Sequence, residues 1–524
     1  MLTGTVLLAE LVATSASVAA TRSRKAKVTA LAACLAAAGE DELEVVTSYL
    51  GGALRQRRTG LGWRSLAALP PPALQPTLRV LEVHAAFDRI AALAGAGSQS
   101  ARQAAVAELF ARATAAEQQW LRGLVTGEVR QGALDSLVQE ALAVAAEVPL
   151  TAVRRAAMLA GSTVAIAGRA FQGQAALDEV GLVVGRPVLP MLASSAGSVA
   201  DALAKIGGPA AIDTKLDGIR IQVHRRGEGV VVATRTLEDI TGRLPEVVDV
   251  VRRLPADSVV LDGEAMTVGP DGRPRPFQET ASRTATRSGS QVHVAPYFFD
   301  ILHLDGRDLL GAPLRERLAV LDALVPEAHR VPRMMTGEVD RAEAFSRESI
   351  AAGHEGVVVK GLDVTWQAGR RGSGWIKVKP VHTLDLVVLA VEWGSGRRRG
   401  WLSNIHLGAR DPDGGFVMLG KTFKGQRSPN TPPGWAPVGK TFKGMTDETL
   451  AWQTARFLDL ETHRDGHVVY VKPVQVVEIA LDGVQRSTRY PGGVALRFAR
   501  VVRYRDDKPA EEADTIETVR AMLH

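Results

Sequence analysis

The chain of 524 residues carries 63 Lys plus Arg against 57 Asp plus Glu, a formal charge of +6. That length exceeds one hydrophobic core, so about two to four domains are expected, and the basic balance suits a polyanionic partner. A single cysteine, Cys34, excludes an internal disulfide framework and any multi-cysteine zinc site, as in a reducing cytoplasm, and no run of about 18 uncharged apolar residues offers a membrane span.

The N-terminus has a short apolar run, but Glu10 interrupts it and the basic cluster follows the run, which argues against a signal peptide. Residues 1–183 are rich in Ala, Leu, Arg and Glu with apolar residues at helical spacing. In "SLVQEALAVAAEV", Leu137, Leu142 and Val144 share a face with Val138 and Ala141. An all-helical domain is predicted, broken between helices at Pro70, Pro71 and Pro72. Residues 184–198, with Pro187 and Pro190 followed by small polar residues, read as an extended linker.

Over 199–384 the texture changes to short β-rich runs, among them "IRIQVHRRGEGVVVATR", "SVVLDGEAMTV" and "EGVVVKG". Alternation and the turn at Gly227–Gly229 predict antiparallel sheet with intervening helices, an α+β domain. A further set of strands over 385–524 suits a small β-barrel, with "EEADTIETVRAMLH" as a closing helix. Within it "GKTFKG" occurs at 420–425 and again at 439–444. A tandem duplication lengthening a surface loop is the favoured reading, since loop closure costs little per added residue; a second nucleic-acid contact is the alternative.

Chemistry enters through an ordered series. Lys215-x-Asp217-Gly218-x-Arg220 is followed by "TRTLED" with Arg235 and Glu238, "DGE" with Glu264, "YFFD" with Phe299, and "EGVVVK" with Glu355 and Lys360. "GRRGSGWIKVK", with Arg371, Lys377 and Lys379, comes next, and "RYRDDK", with Arg505 and Lys508, closes the series. Each motif alone is weak: Arg235, Lys377 and Lys379 singly are ordinary strand charges, Phe299 a core residue, and Glu264 a turn carboxylate. Their order is the signal. It resembles the signature of the covalent nucleotidyltransferases, and the whole chain looks like an ATP-dependent DNA ligase of the bacterial kind, with "GRPVLPMLA" similar to the family's segment ahead of the lysine.

A lysine amine is nucleophilic only when unprotonated, and its reference pKa of about 10.4 leaves little free amine at neutral pH. Lys377 and Lys379 alternate on a strand, so both point to one face, where their charge is expected to lower the pKa of Lys215. The resemblance implies attack of Lys215 on ATP and the roles of the rest. Asp213, where many relatives have Glu, would accept from the adenine amine, and Phe299 would stack on the base. Arg220, Arg235 and Glu264 would bind ribose and phosphate, and Arg371 with Lys377 would hold phosphates. Glu355 and Glu264 would bind Mg²⁺. Arg505 and Lys508 would orient pyrophosphate if the last domain closes over the pocket. Asp213 and Lys360 read equally well as structural residues.

The resemblance further implies an OB-fold for 385–524 and a DNA clamp for the helical domain, with "RSRKAK" (22–27), "RQRRTG" (55–60), "TGEVRQGA" (126–133) and "GSGRRRGW" (394–401) as candidate phosphate contacts. For "RSRKAK" a solvated basic face is preferred. The expected partner is nicked duplex DNA, bound by a nucleoid-associated cytoplasmic monomer. An NAD-dependent ligase would need a four-cysteine zinc module. An RNA ligase or capping enzyme leaves the helical domain unexplained, and a non-catalytic DNA scaffold leaves the ordered motifs unexplained. Excision of 19 residues from this duplicated segment, one full repeat offset, should leave sealing activity nearly intact; a folded but inactive product would contradict the loop reading.

Overall fold

The computed structural model describes residues 5–129, 131–132, 135–269, 273–275, 277–285, 294–367, 371–394, 398–422 and 447–523. The second "GKTFKG" copy, residues 423–425 of the first, Arg130, residues 395–397 and the side chain of Arg371 lie outside that description.

Ten helices, from Leu8–Ala20 to Gln174–Asp178, build the N-terminal region. Leu8, Leu11, Leu31, Leu35, Tyr49, Phe87 and Phe110 fill its centre with almost no exposure. Local sequence sets the boundaries. Ala115–Thr126 starts at Thr114, whose hydroxyl accepts from the Glu117 amide while Glu117 reaches back to the Thr114 amide, and it ends on the left-handed Gly127. In Asp135–Ala145, Leu137, Val138, Ala141 and Leu142 are buried as spacing predicts, whereas Val144 falls in the last turn and is 58% exposed. No single helix among the described residues is long and apolar enough to cross a membrane.

The basic clusters of this region are partly engaged internally. Arg24 pairs with Glu140 at 2.7 Å, and the Lys27 ammonium donates to the Gln131 and Gly132 carbonyls at 3.0 and 3.3 Å. Lys27 therefore braces the "TGEVRQGA" turn, and "RSRKAK" is not simply a solvated face.

The middle region holds two five-stranded sheets. Its strands are β1 (Leu192–Ala196), β2 (Ala210–Thr214), β3 (Ile219–Arg226), β4 (Gly229–Thr234), β5 (Ser258–Thr267), β6 (Val294–Leu304), β7 (Arg307–Asp308), β8 (Arg333–Thr336), β9 (Val357–Gly361) and β10 (Arg371–Val378). The first sheet runs β1-β10-β9-β2-β8 and the second β4-β3-β5-β6-β7. All pairings are antiparallel except β1 with β10. Thus the end of the stretch read as linker, Leu192–Ala196, is a sheet strand: its backbone groups find ladder partners on β10.

The first sheet packs on the helices Val199–Ile206 and Val339–Ala351, and the second on Pro245–Arg252 and Leu314–Leu324. Chain continuity makes β2 end in one sheet and β3 begin in the other, so the residues between them, 215–218, lie at the junction.

The C-terminal region contains β11 (His382–Trp393), β12 (Leu402–Arg410), β13 (Phe416–Lys421), β14 (Glu461–Asp465), β15 (Val468–Val471), β16 (Val476–Leu481), β17 (Gly483–Arg486), β18 (Val494–Arg497) and β19 (Arg500–Arg505). Seven of these form one sheet in which the long β11 pairs with β12 on one side and with both β15 and β16 on the other; β17 and β18 form a separate hairpin. The β-rich prediction holds, but the described ladder does not close. β13, β14 and β19 are edges of the described ladder, in which β11 divides its second side between two partners, so the described strands form half-barrels.

Asp300 and Arg317 are fully buried and joined by two hydrogen bonds of 2.8 and 3.0 Å, and Arg317 also donates to the Ala312 and Val364 carbonyls. A buried carboxylate stripped of its partner is strongly unfavourable. Arg317→Met should cost about 3–5 kcal/mol in chemical denaturation, and pairing it with Asp300→Leu should recover most of the loss.

Candidate active site

Lys215 follows a fully buried strand and is fixed by its own backbone. Its amide donates to the Gly356 carbonyl at 2.8 Å and its carbonyl accepts from the Glu355 amide at 3.1 Å. This exchange places Glu355 beside the lysine, and the Lys215 ammonium pairs with Glu355 Oε2. The other carboxylate oxygen accepts from Lys379 Nζ at 2.8 Å. Two glycines permit the crowding: a Cβ on Gly218 would lie 2.4 Å from the Ala265 carbonyl oxygen, and one on Gly356 2.3 Å from that of Val378. The glycine of K-x-D-G thus follows from contact with the strand carrying Glu264. The register of β3 with β5 sets Arg220 opposite Glu264 and Gln222 opposite Asp262.

The electrostatics differ from the sequence expectation at one point. Burial pulls the Lys215 pKa down, but the Glu355 charge and hydrogen bond, with Glu264 and Asp217 behind, raise it overall. The cations instead act on one another: burial, then Lys379 and Lys215, lower the pKa of Lys377 to about 8, and burial and Lys215 lower that of Lys379. Burial would raise the pKa of Glu355, yet Lys215 and Lys379 hold it at about 2. Glu264 is pushed by burial up to about 7, against the pull of Lys215 and Arg220. Without nucleotide, therefore, Lys215 rests as an ammonium paired with a carboxylate.

Beside this cluster lies an aromatic and cationic box. Phe299 and Trp375 meet edge to face at 5.8 Å, and Trp366 packs on Trp375 at 5.7 Å. The Lys360 ammonium lies 4.3 Å from the Phe299 centroid and 4.2 Å from that of Trp375. Asp213, 2% exposed, binds Lys360 at 2.6 Å and Arg333 at 2.9 Å, so its carboxylate is already committed within the protein. Arg220 is committed as well, bidentate on Asp262 at 3.0 and 2.6 Å and donating to the Met191 carbonyl at 2.7 Å.

The structure thus brings together Lys215, Glu264, Glu355, Lys377 and Lys379, and beside them Asp213, Arg220, Phe299 and Lys360. Arg235 sits half-buried in the turn after β4. Arg505 and Lys508 are not joined to the lysine cluster: both bind Asp385, at 3.0 and 2.9 Å, and they border a cavity shared with Trp452 and Arg456. The C-terminal region reaches the motif through another residue, Arg497 of β18, which donates to Asp217 at 3.1 Å.

Sequence reasoning missed Arg497, Asp262 and Arg333 as site residues. Asp262 stood in the quoted "DGE"; nothing local marks Arg333 or Arg497. Among the described residues no three His, Cys, Asp or Glu side chains form a metal cage. Glu264 and Glu355 are nevertheless hard oxygen donors at one lysine, a pair suited to a cation whose remaining ligands are phosphate and water.

Residues 190–379 match the family model of the ATP dependent DNA ligase domain, 64–143 that of the DNA ligase N terminus, and 398–508 that of the ATP dependent DNA ligase C terminal region. A protein described as a probable DNA ligase of Nocardioides sp. is 70% identical over 527 residues, covering 99% of both chains. One so described from Kineococcus radiotolerans is 64% identical over 521 residues, covering 98% of this chain and 99% of its own. A solved structure described as Pmar-Lig_PreS3 is alike in fold, with a TM-score of 0.62 and 17% identity over 94% of this chain and 99% of its own. The chain belongs to the ATP-dependent DNA ligases, enzymes that join DNA through a lysyl-AMP intermediate.

Proposed function

We propose that Lys215 is the nucleophile of this ligase and that its substrate is a nick in duplex DNA. The observation that carries this reading is the Lys215 ammonium held between Glu355, Glu264 and the half-buried cations Lys377 and Lys379. If the Glu355 carboxylate were committed to a bound cation, the largest counter-charge on Lys215 would be weakened; Glu264 and Asp217 would remain, opposed by Lys377 and Lys379, whose charges favour the free amine.

The Lys215 amine then forms a bond to the α-phosphorus of ATP as the bond to pyrophosphate breaks, giving lysyl-AMP. A 5′-phosphate oxygen at the nick next takes the adenylyl group, the N–P bond breaks, and Lys215 regains a proton. Finally the 3′-hydroxyl loses its proton and joins the 5′-phosphorus, and AMP leaves. Mg²⁺, held by Glu264 and Glu355, would neutralise phosphate charge in these transfers.

Phe299 stacks on the adenine, and Asp213, braced by Lys360 and Arg333, receives its amine. Arg220 and Arg235 bind ribose and phosphate; Arg371, Lys377 and Lys379 hold the triphosphate. Arg505 and Lys508 orient pyrophosphate after leaving Asp385, a movement of the C-terminal region that gates the first step. The helical region, 1–183, is the clamp on the DNA backbone, 199–384 the nucleotidyltransferase domain together with β1, and 385–524 an OB-fold completing the ring. The enzyme acts as a cytoplasmic monomer, and its affinity for DNA falls steeply with salt because phosphate contacts dominate.

ATP labelled at the α-phosphate should give an acid-labile protein adduct that Lys215→Ala abolishes; adduct formation by a folded Lys215→Ala protein would defeat the assignment. Arg505→Ala should slow adduct formation more than sealing of pre-adenylated DNA, and equal losses would refute the gate. The raised pKa of Glu264 makes a pH test. The folded protein binds the Glu264 proton up to about pH 7 and the unfolded chain only to about 4.5, so ionising Glu264 removes stability as pH rises between these values. Glu264→Gln, which cannot ionise, should gain relative to the metal-free parent by at most about 3 kcal/mol at pH 8 and by nothing near pH 4. A pH-independent difference in denaturation would contradict this.

A further inference from the structure

Leu237, in the turn that carries Arg235, has φ of 62°, the left-handed region that costs an L-residue on the order of 1–2 kcal/mol. Asp305, another described residue with positive φ, accepts from the Asp257 and Ser258 amides through its own carboxylate. A leucine has no such polar group, so its conformation must be fixed by the turn backbone and by packing.

The turn supplies part of this. The Leu237 amide donates to the Thr234 carbonyl at 2.8 Å, and the Thr234 amide to the Glu238 carbonyl at 2.9 Å. The helical region supplies the rest. Helix Leu150–Ala160 ends on Gly161, with φ of 74°, and the Leu237 side chain lies against it. A Cβ on Gly161 would stand 3.0 Å from Leu237 Cδ1 and 2.8 Å from the Pro187 carbonyl oxygen. The same helix end receives the linker, since the Leu189 amide donates to the Met158 carbonyl at 3.0 Å. At the adjoining residue, Glu238, Arg58 of the helical region approaches to 3.8 Å. Leu237 is therefore packed from the helical region, and Glu238 lies at the same boundary, within ion-pair range of exposed Arg58 and of Arg243.

We propose that Leu237 is a positioning residue through which the helical region sets the Arg235 turn, using the notch left by Gly161. The inference rests on the reading of Arg235 as a nucleotide-binding residue. Leu237 touches no reacting atom; it acts by keeping Arg235 in register with the site, so its loss should cost nucleotide affinity and spare the chemical step. Leu237→Gly accepts the same backbone and removes the contact. Gly161→Ala presses on the contact from the other side. Leu237→Met keeps an apolar side chain of similar reach.

The experiment is ATP-dependent self-adenylation of the full chain, with melting curves to confirm folding. Leu237→Gly and Gly161→Ala should each raise the KM for ATP about tenfold with the saturated rate within twofold of the parent, and Leu237→Met should restore it. Arg235→Ala should show a similar defect, and adding Leu237→Gly to it should change nothing further. A normal KM in Leu237→Gly beside an impaired Arg235→Ala would overturn this inference alone. So would a fully additive double variant, or a saturated rate that falls as much as the affinity. A normal KM in Arg235→Ala would overturn the parent reading and this one with it.

Discussion

The site depends on a charge pair made at close quarters between two strand ends. Lys215 and Glu355 exchange backbone hydrogen bonds as well as a side-chain ion pair, so neither can be placed without the other. A largely buried ammonium requires a counter-charge, and Glu355 supplies it in the absence of substrate. The pair keeps the amine protonated and in place, with Lys377 on β10 and Lys379 just past its end as the nearby cations. Such an arrangement is inert until the carboxylate is drawn to another partner, which suits an enzyme whose first step requires ATP. The closeness depends on Gly218 and Gly356, since a side chain at either would collide with a strand carbonyl.

Support for this pair comes from buried polar groups with defined partners. Asp300 and Arg317 lock the strand that presents Phe299 to the helix Leu314–Leu324 and to the loop leading to Trp366. Asp213, Lys360 and Arg333 form a second buried group whose ammonium lies over both Phe299 and Trp375. On β3, Arg220, Gln222 and His224 alternate toward one face and bind the segment 185–191: Gly185 and Val188 donate to His224 and Gln222, and Arg220 donates to Met191. Burial lowers the His224 pKa to about 4, so it serves there as a neutral acceptor. Segment and strand are thereby held together ahead of the lysine.

The C-terminal region presents two cationic faces. Arg497 on the short hairpin meets Asp217, next but one to Lys215, whereas Arg505 and Lys508 are neutralised by Asp385 elsewhere on the same region. In this arrangement the hairpin approaches the junction of the two central sheets and the "RYRDDK" cations do not. Any role of those cations at the triphosphate requires reorientation, and with it the loss of mostly buried ion pairs to Asp385.

Much of this was legible in the residues themselves. Period-two and helical spacing separate the helical, mixed and β-rich regions, because hydrophobic alternation reports which face is buried. The order of the lysine, glutamate and aromatic motifs identified the family, because adenylyl transfer needs an amine, carboxylates and neighbouring cations together. Spacing could not tell that Leu192–Ala196 joins the first sheet, that β11 divides one side between β15 and β16, or that Asp213 and Arg220 are already bound to protein partners. Those outcomes depend on residues distant in sequence: Arg371 to Val378 beside β1, Arg333 beside Asp213, Asp262 beside Arg220, and Arg497 beside Asp217. The direction of the Lys215 pKa was decided the same way, since a charge acts across a few ångströms of space and not along the chain. The sequence by itself determined which chemical groups exist and in what order; the tertiary structure decided which of them face one another, and so which charge the Lys215 amine feels.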